Sequence, residues 1–259
     1  MSDPPIEALL QQLGQLSNPA TRDWWQRYLK GAIPFRGVAM GQIRVAIHQW
    51  ADQQQFAAWP LAEQKAAALS LFAQPYAEDK LVGVLLLHER LGSQLGLADL
   101  DHFAMLFDNG LIADWNSCDW FCVKVLGGML AQAEDPRPLA EAISAWRSAP
   151  TLWQRRAVLV AFVNHAPRGE PFFNGFTALA LENCAAIVGD PQRFAQTGIG
   201  WLLRELSRAE PLAVIGFVQQ YGRQLSREAL RMATARLTSE QQTQLRQAFG
   251  AGSASRRAR

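Results

Sequence analysis

Cysteine is rare in this chain. Only Cys118, Cys122 and Cys184 occur, which gives neither an even disulfide set nor a metal-binding spacing. Cys118 and Cys122 stand four apart, as two small buried residues on one helix face would. The four histidines, His48, His88, His102 and His165, show no ligand spacing, so a metal hydrolase is a poor reading. No metal or other cofactor is expected. No apolar run approaches the roughly 20 residues of a membrane span, so no membrane association is expected. The start, Met-Ser-Asp-Pro-Pro, lacks the basic and apolar regions of a signal peptide. Alternating strand patterns between hairpin turns are missing as well. These absences lead to the expectation of a reduced, soluble, cytoplasmic, helical protein.

Lysine is absent from the second half. Residues 1–130 carry 9 Lys and Arg against 13 Asp and Glu, a net of −4. Residues 131–259 carry 16 against 10, a net of +6, and all 16 cations are arginine. Arginine suits bidentate phosphate contacts, so a nucleic-acid partner is compatible with the basic half, as is a solvated arginine-rich helix face. Apolar content of 49% and charged content of 19% describe a globular chain.

The dominant pattern is amphipathic helix. Segments 5–16, 18–30, 40–54, 60–72, 79–91, 97–107, the Trp115 region, 138–146, 151–165, 172–188, 191–207, 211–221, 226–237 and 239–249 read as helices separated by short Pro, Gly or Ser breaks. Asn18 followed by Pro19 is a cap and first-turn pair. Consecutive amphipathic helices with short connections stack as antiparallel pairs, and many pairs make an α-solenoid. The expected fold is therefore all-α, a solenoid of stacked antiparallel helical pairs of HEAT type, with a globular helical bundle as the alternative. One repeat domain is expected over 1–249, with a basic, disordered tail over 250–259.

Three stretches bear on function. Trp115-Asn-Ser-Cys-Asp119 sets an indole and a carboxylate four apart, so on a helix both share one face. The plain reading of this pair is an N-cap aspartate beside a packing tryptophan. Leu152-Trp-Gln-Arg155-Arg156 opens an apolar helix, and Ile199-Gly-Trp201-Leu-Leu-Arg-Glu205 follows. Each is expected near the front of its helix. The separations are 37 residues from Asp119 to Arg156 and 45 from there to Trp201. A helical pair uses roughly 35–47 residues in such repeats, so equivalent positions on successive pairs would fall on one concave face. Taken singly, Trp201 reads equally well as a core or groove aromatic, and Arg156 as half of a surface ion pair.

The ordered set resembles the DNA alkylation repair family, the AlkD-like HEAT-repeat DNA glycosylases, from about Arg22 to Leu237. Gln26-Arg-Tyr28-Leu-Lys30 followed by Phe35-Arg-Gly37-Val38 looks like the first helical pair and its Phe-x-Gly turn. Trp115 to Asp119 is similar to the family's Trp-Asp-x-x-Asp, with Asn116 in place of the first Asp. Trp153-Gln-Arg-Arg156-Ala157 looks like Trp-x-x-Arg-Ala. Gln196-Thr197-Gly-Ile-Gly-Trp201-Leu-Leu-Arg-Glu205 is similar to Gln-Lys-Ala-Ile-Gly-Trp-x-Leu-Arg-Glu, with Thr197 removing a cation.

The resemblance implies hydrolysis of the N-glycosidic bond of N3- or N7-alkylated purines in double-stranded DNA by a monomer working on the nucleoid. It implies Asp119 as the catalytic carboxylate, and Trp115, Trp201, Arg156, Arg155 and, more weakly, Tyr28 as DNA contacts. It also implies a grip on the backbone rather than a base pocket. The competing readings are a HEAT-repeat protein that binds damaged or unusual DNA without excising a base, and a protein scaffold. Asp119 discriminates between the classes, since a scaffold has no use for a carboxylate on a phosphate-facing surface.

Overall fold

A computed structural model describes residues 6–245; the expected tail over 250–259 lies outside them. Every regular element among the described residues is helical, and the fold is all-α. Residue contacts divide the chain into two compact units, 1–129 and 130–259.

The first unit holds α1 (Glu7–Gln15), α2 (Pro19–Tyr28), α3 (Met40–Gln53), α4 (Leu61–Ser70), α5 (Ala77–Leu85), α6 (Leu100–Asp108) and α7 (Trp115–Phe121). Helix α8 (Gly127–Gln132) crosses the boundary. The second unit holds α9 (Arg137–Ser144), α10 (Leu152–Val160), α11 (Phe176–Ile187), α12 (Arg193–Leu206), α13 (Pro211–Tyr221) and α14 (Arg227–Thr234). Packing skips one helix at a time. In the first unit α1 lies on α3, α3 on α5 and α5 on α7; in the second, α10, α12 and α14 form one row and α9, α11 and α13 another. Alternate helices in common rows are the layers of stacked antiparallel pairs, which is the arrangement of an α-solenoid.

Local chemistry sets the helix starts. Asn18 Oδ1 accepts from Thr21 N at 3.0 Å with Pro19 at the first position of α2. Thr151 caps α10 through Gln154 N, and Ser226 caps α14 through Ala229 N. Several expected boundaries moved, among them two in the second unit. The helix expected over 151–165 ends at Val160; beyond it the amides of Phe162 and Val163 donate to the carbonyls three residues back, Leu159 and Val160, rather than four. The helix expected from Phe172 begins at Phe176, after Gly175 at φ +90°. Glu170 accepts from the amides of Gly175 at 2.7 Å and Thr177 at 3.0 Å. A carboxylate from outside the helix thus satisfies its first amides and shifts its start. These amides, Gly175 first, hold the Glu170 carboxyl below its ordinary range.

Helices α5 and α7 each run on into a π-helical turn, Leu86–Arg90 and Cys122–Leu126, and these turns pack against each other. Cys118 and Cys122 are fully buried, as their spacing suggested.

Candidate functional site

The first unit's candidate residues depend on how α7 is held. Its N-cap is Asp114, whose side chain accepts from Ser117 N at 3.0 Å. The capping role considered for Asp119 therefore belongs to Asp114, and Asp119 is the fifth residue of the helix. At the other end Phe121 is fully buried, with Phe72, Phe103 and Phe107 edge-on at 5.7, 5.3 and 5.9 Å. Such rings are worth about 0.5–1.5 kcal/mol per pair beyond burial, so the helix is fixed at both ends. Lys80 secures the approach, donating to the carbonyls of Phe72 and Leu111. Burial lowers the Lys80 amine from its usual range, and Asp114 and Asp79 offset this in part.

On this fixed helix Trp115 and Asp119 lie one turn apart on one face, both half-buried. Trp115 packs with Trp25 against the buried cluster of Leu29, Ile33, Phe35 and Ala77. Tyr28, at the end of α2, meets the Trp115 ring at 5.9 Å and 67°. The structure therefore brings together Tyr28 and Trp115, which the sequence separates by 87 positions. Asn116 and Trp120 occupy the adjacent stripe of α7 and line a mostly apolar cleft of about 110 Å3 with Trp25, Phe35, Met40 and Glu78.

The turn after α2 is held by two acids in the first turn of α5. Glu78 accepts from the amides of Arg36, Gly37 and Val38 at 2.9, 2.8 and 3.1 Å. Asp79, fully buried, takes the Arg36 guanidinium as a two-pronged pair at 2.7 and 2.9 Å. Burial pushes the Asp79 carboxyl upward, and Arg36 opposes it. Gly37 sits at φ +87°, and a Cβ there would run into the Asn18 carbonyl and lie 2.7 Å from Arg22 N. The Phe-x-Gly turn thus needs its glycine on two counts. Neither Glu78 nor Asp79 was singled out from sequence, although two acids opening a helix are a recognisable first-turn signal.

In the second unit, Arg156 is the fifth residue of α10 and only 4% exposed. Its Nη1 donates to the Phe194 carbonyl at 2.7 Å and the Thr197 hydroxyl at 3.2 Å. The side chain is thus buried rather than an exposed phosphate hook, and these two bonds tie α10 to α12. Arg155 forms a half-buried ion pair. Its Nη2 and Nε reach Asp190 at 2.7 and 3.1 Å, and Nη1 reaches the carbonyls of Ala149 and Pro150. Burial works to raise the Asp190 carboxyl, but the Gln192 amide and Arg155 hold it below its ordinary value.

Trp201 is half-buried on α12. It is the ninth residue of that helix, not near the front as expected. The fifth is Thr197, the partner of Arg156, so Trp201 projects from the same face one turn later. The rest of the motif packs. Gln196 donates to the Val188 and Asp190 carbonyls and accepts from Ser226 N. A Cβ on Gly200 would lie 2.8 Å from the Ala229 carbonyl and 2.9 Å from Met232 Cβ, so this glycine permits the close approach of α12 and α14. Glu205 gathers Arg204, Arg208 and Arg236.

No group of three metal-binding side chains occurs among the described residues, and no described helix is long and apolar enough to cross a membrane. Comparison with curated proteins finds no match. Among solved structures, the chain is similar to a predicted DNA alkylation repair enzyme from Enterococcus faecalis, with a TM-score of 0.73 at 20% identity, over 86% of this chain and 97% of that one. At that identity the likeness concerns the fold. The family model for DNA alkylation repair enzymes matches residues 9–237, most of the chain, and the protein belongs to that family.

Proposed function

We propose that the protein is a DNA glycosylase that hydrolyses the N-glycosidic bond of N3- or N7-alkylated purines in duplex DNA. The observation that supports this most directly is the placement of Asp119. It shares a helix face with Trp115 while Asp114 does the capping, so the carboxylate has no role in starting the helix.

The chemistry suits such a group. An N3- or N7-alkylated purine carries positive charge, and when the C1′–N bond breaks the electron pair neutralises it, so no general acid is needed. Positive charge passes to the sugar as an oxocarbenium ion, as in glycoside hydrolysis. Asp119 is assigned to stabilise that charge and to orient the water whose oxygen adds to C1′, the water's proton passing to the carboxylate and then to solvent. Trp115 and Trp201 are assigned to offer π faces to the cationic sugar, and Tyr28 to extend the Trp115 surface. Arg156 is assigned to set the strand's register by fixing the turn of α12 from which Trp201 projects. Arg155, through Asp190, is assigned to hold the loop ahead of that helix.

Purified protein incubated with duplex carrying N7-methylguanine should release free base under single-turnover conditions. Its affinity for duplex should fall steeply with salt, because phosphate contacts release counterions. Salt-sensitive binding without base release would replace the proposal with DNA recognition alone.

A further inference from the structure

The outer face of α2 carries two aromatic rings in water. Trp24 is 52% and Tyr28 56% exposed. They stand four residues apart and their rings are parallel, 7° between planes and 5.3 Å between centroids. Large apolar side chains scattered singly on a surface need no explanation. A stacked pair is a different object, because it presents a flat, oriented π surface. Its orientation is enforced from behind. Trp25 meets Trp24 edge-on at 4.8 Å and Tyr28 at 5.8 Å. Trp25 is itself stacked on buried Phe35 at 5.6 Å and 9°. Trp115 closes the side of Tyr28. The rings are thus backed by the core of the first unit and adjoin the helix that carries Asp119.

The surrounding charge narrows the occupant. The first unit is acidic overall, and four of its cations face carboxylates: Arg22 with Asp23, Arg36 with Asp79, Arg44 with Glu89, and Lys65 with Asp99. Arg27, which shares a face with Trp24 by its i+3 spacing, and Lys30, just beyond the helix, are exposed and have no ion pair among the described residues. An apolar peptide would match the rings and leave these cations unmatched. A nucleotide matches both, with its base on the rings and its phosphate against the cations, the combination by which proteins hold unpaired strands.

We propose that Trp24, stacked on Tyr28, is a platform for a nucleobase of DNA that has left the helical stack. The occupant is one base of an unpaired or bulged nucleotide, with its phosphates against Arg27 and Lys30. The inference rests on the DNA-binding part of the function proposed above and not on base excision. It adds a specificity: the protein favours duplex with an extruded base over perfectly paired duplex.

The test uses the full chain and three labelled duplexes followed by fluorescence anisotropy. One is fully paired, one has a single-nucleotide bulge, and one has the same bulge with the base replaced by a tetrahydrofuran abasic residue. Stacking of one base on an aromatic ring is worth ~1–3 kcal/mol, or about 5- to 150-fold in affinity. The parent should prefer the bulged duplex by a factor in that range and should lose the preference for the abasic bulge. Trp24→Leu keeps an apolar contact with Trp25 but has no ring, and should bind all three duplexes alike. Trp24→Phe should retain most of the preference, and the Phe and Leu variants together separate loss of the π face from loss of folding. Equal bulge preference in the Leu and Phe variants overturns the proposal, as does a parent that binds the abasic bulge as tightly as the base-containing one. Size-exclusion chromatography supplies another arm, because a parent dimer that Trp24→Leu makes monomeric would mean that a second copy covers the rings. Base release by the parent, measured separately, reports on the glycosylase reading and is independent of all these outcomes.

Discussion

Asp119 in the first unit and Arg156 in the second are each the fifth residue of their helix, yet they differ in burial. Asp119 is half-buried, one turn beyond a tryptophan on the same face. Arg156 is buried, with its guanidinium turned into the neighbouring helix. The wider regions differ in the same sense. The first unit, net acidic, displays its aromatics: Trp24 and Tyr28 outward, Trp115 partly covered. The second, net basic, devotes Arg155, Arg156 and Arg193 to bonds between elements. Formal charge is therefore a poor guide to which surface is prepared for a ligand, because much of the arginine excess is spent on joining helices.

The largest effect expected from breaking this contrast is chemical. Asp119→Asn should leave the melting temperature near the parent's and lower single-turnover base release by about 10²–10³, the scale of removing one electrostatic stabiliser. Asp114→Ala, five residues earlier, should do the reverse in stability: loss of the cap removes roughly 0.5–2 kcal/mol. If Asp119→Asn releases base at the parent's rate while melting normally, the assignment of the carboxylate is wrong.

Two glycines compare the packing of the units. Gly200→Ala places a methyl group against α14 and should destabilise by about 1–3 kcal/mol, as overpacking does. Gly37→Ala should cost more, because its positive φ adds strain and the added Cβ meets backbone rather than movable side chains. Denaturant midpoints measure both; a smaller loss at Gly37 would mean that the turn held by Glu78 can yield.

A smaller and more discriminating effect is expected at Arg156. Arg156→Ala should weaken binding to damaged and undamaged duplex alike and lower the melting temperature. The slope of log affinity against log salt should stay at the parent value, since a side chain acting through α12 releases no counterion. A slope shallower by about 1 would instead assign a direct phosphate contact.

The smallest effect concerns Asp190. Its carboxyl is held below the ordinary value of 3.8 by the Gln192 amide and Arg155. A carboxylate depressed in the folded state contributes stability above its unfolded-state value and loses it as pH falls through the folded one. The melting temperature of Asp190→Asn should therefore lie below the parent's at neutral pH, and the gap should narrow as pH drops below about 4. A gap independent of pH would mean that the pair with Arg155 contributes nothing electrostatic.

Most of the helices could be read from sequence because apolar periodicity and caps are local properties, satisfied within a few residues of where they are written: Asn18 with Pro19 is such a case. The motif residues could be read in the same way, as could the sharing of a face by Trp115 and Asp119, which follows from helical geometry alone. Burial and partnership could not. Asp114 and Asp119 are both plausible caps by composition, and only the position of the first helical turn decides between them. Arg155 and Arg156 are adjacent and chemically identical, yet one pairs with Asp190 and the other enters the α10–α12 contact, because a helix turns about 100° per residue and points them at different neighbours. Tyr28 and Trp115 meet only because α2 and α7 pack on one core cluster. Sequence alone determined a helical chain with a carboxylate and an indole on one face; tertiary packing decided which charges are used to join helices and which rings are left facing water.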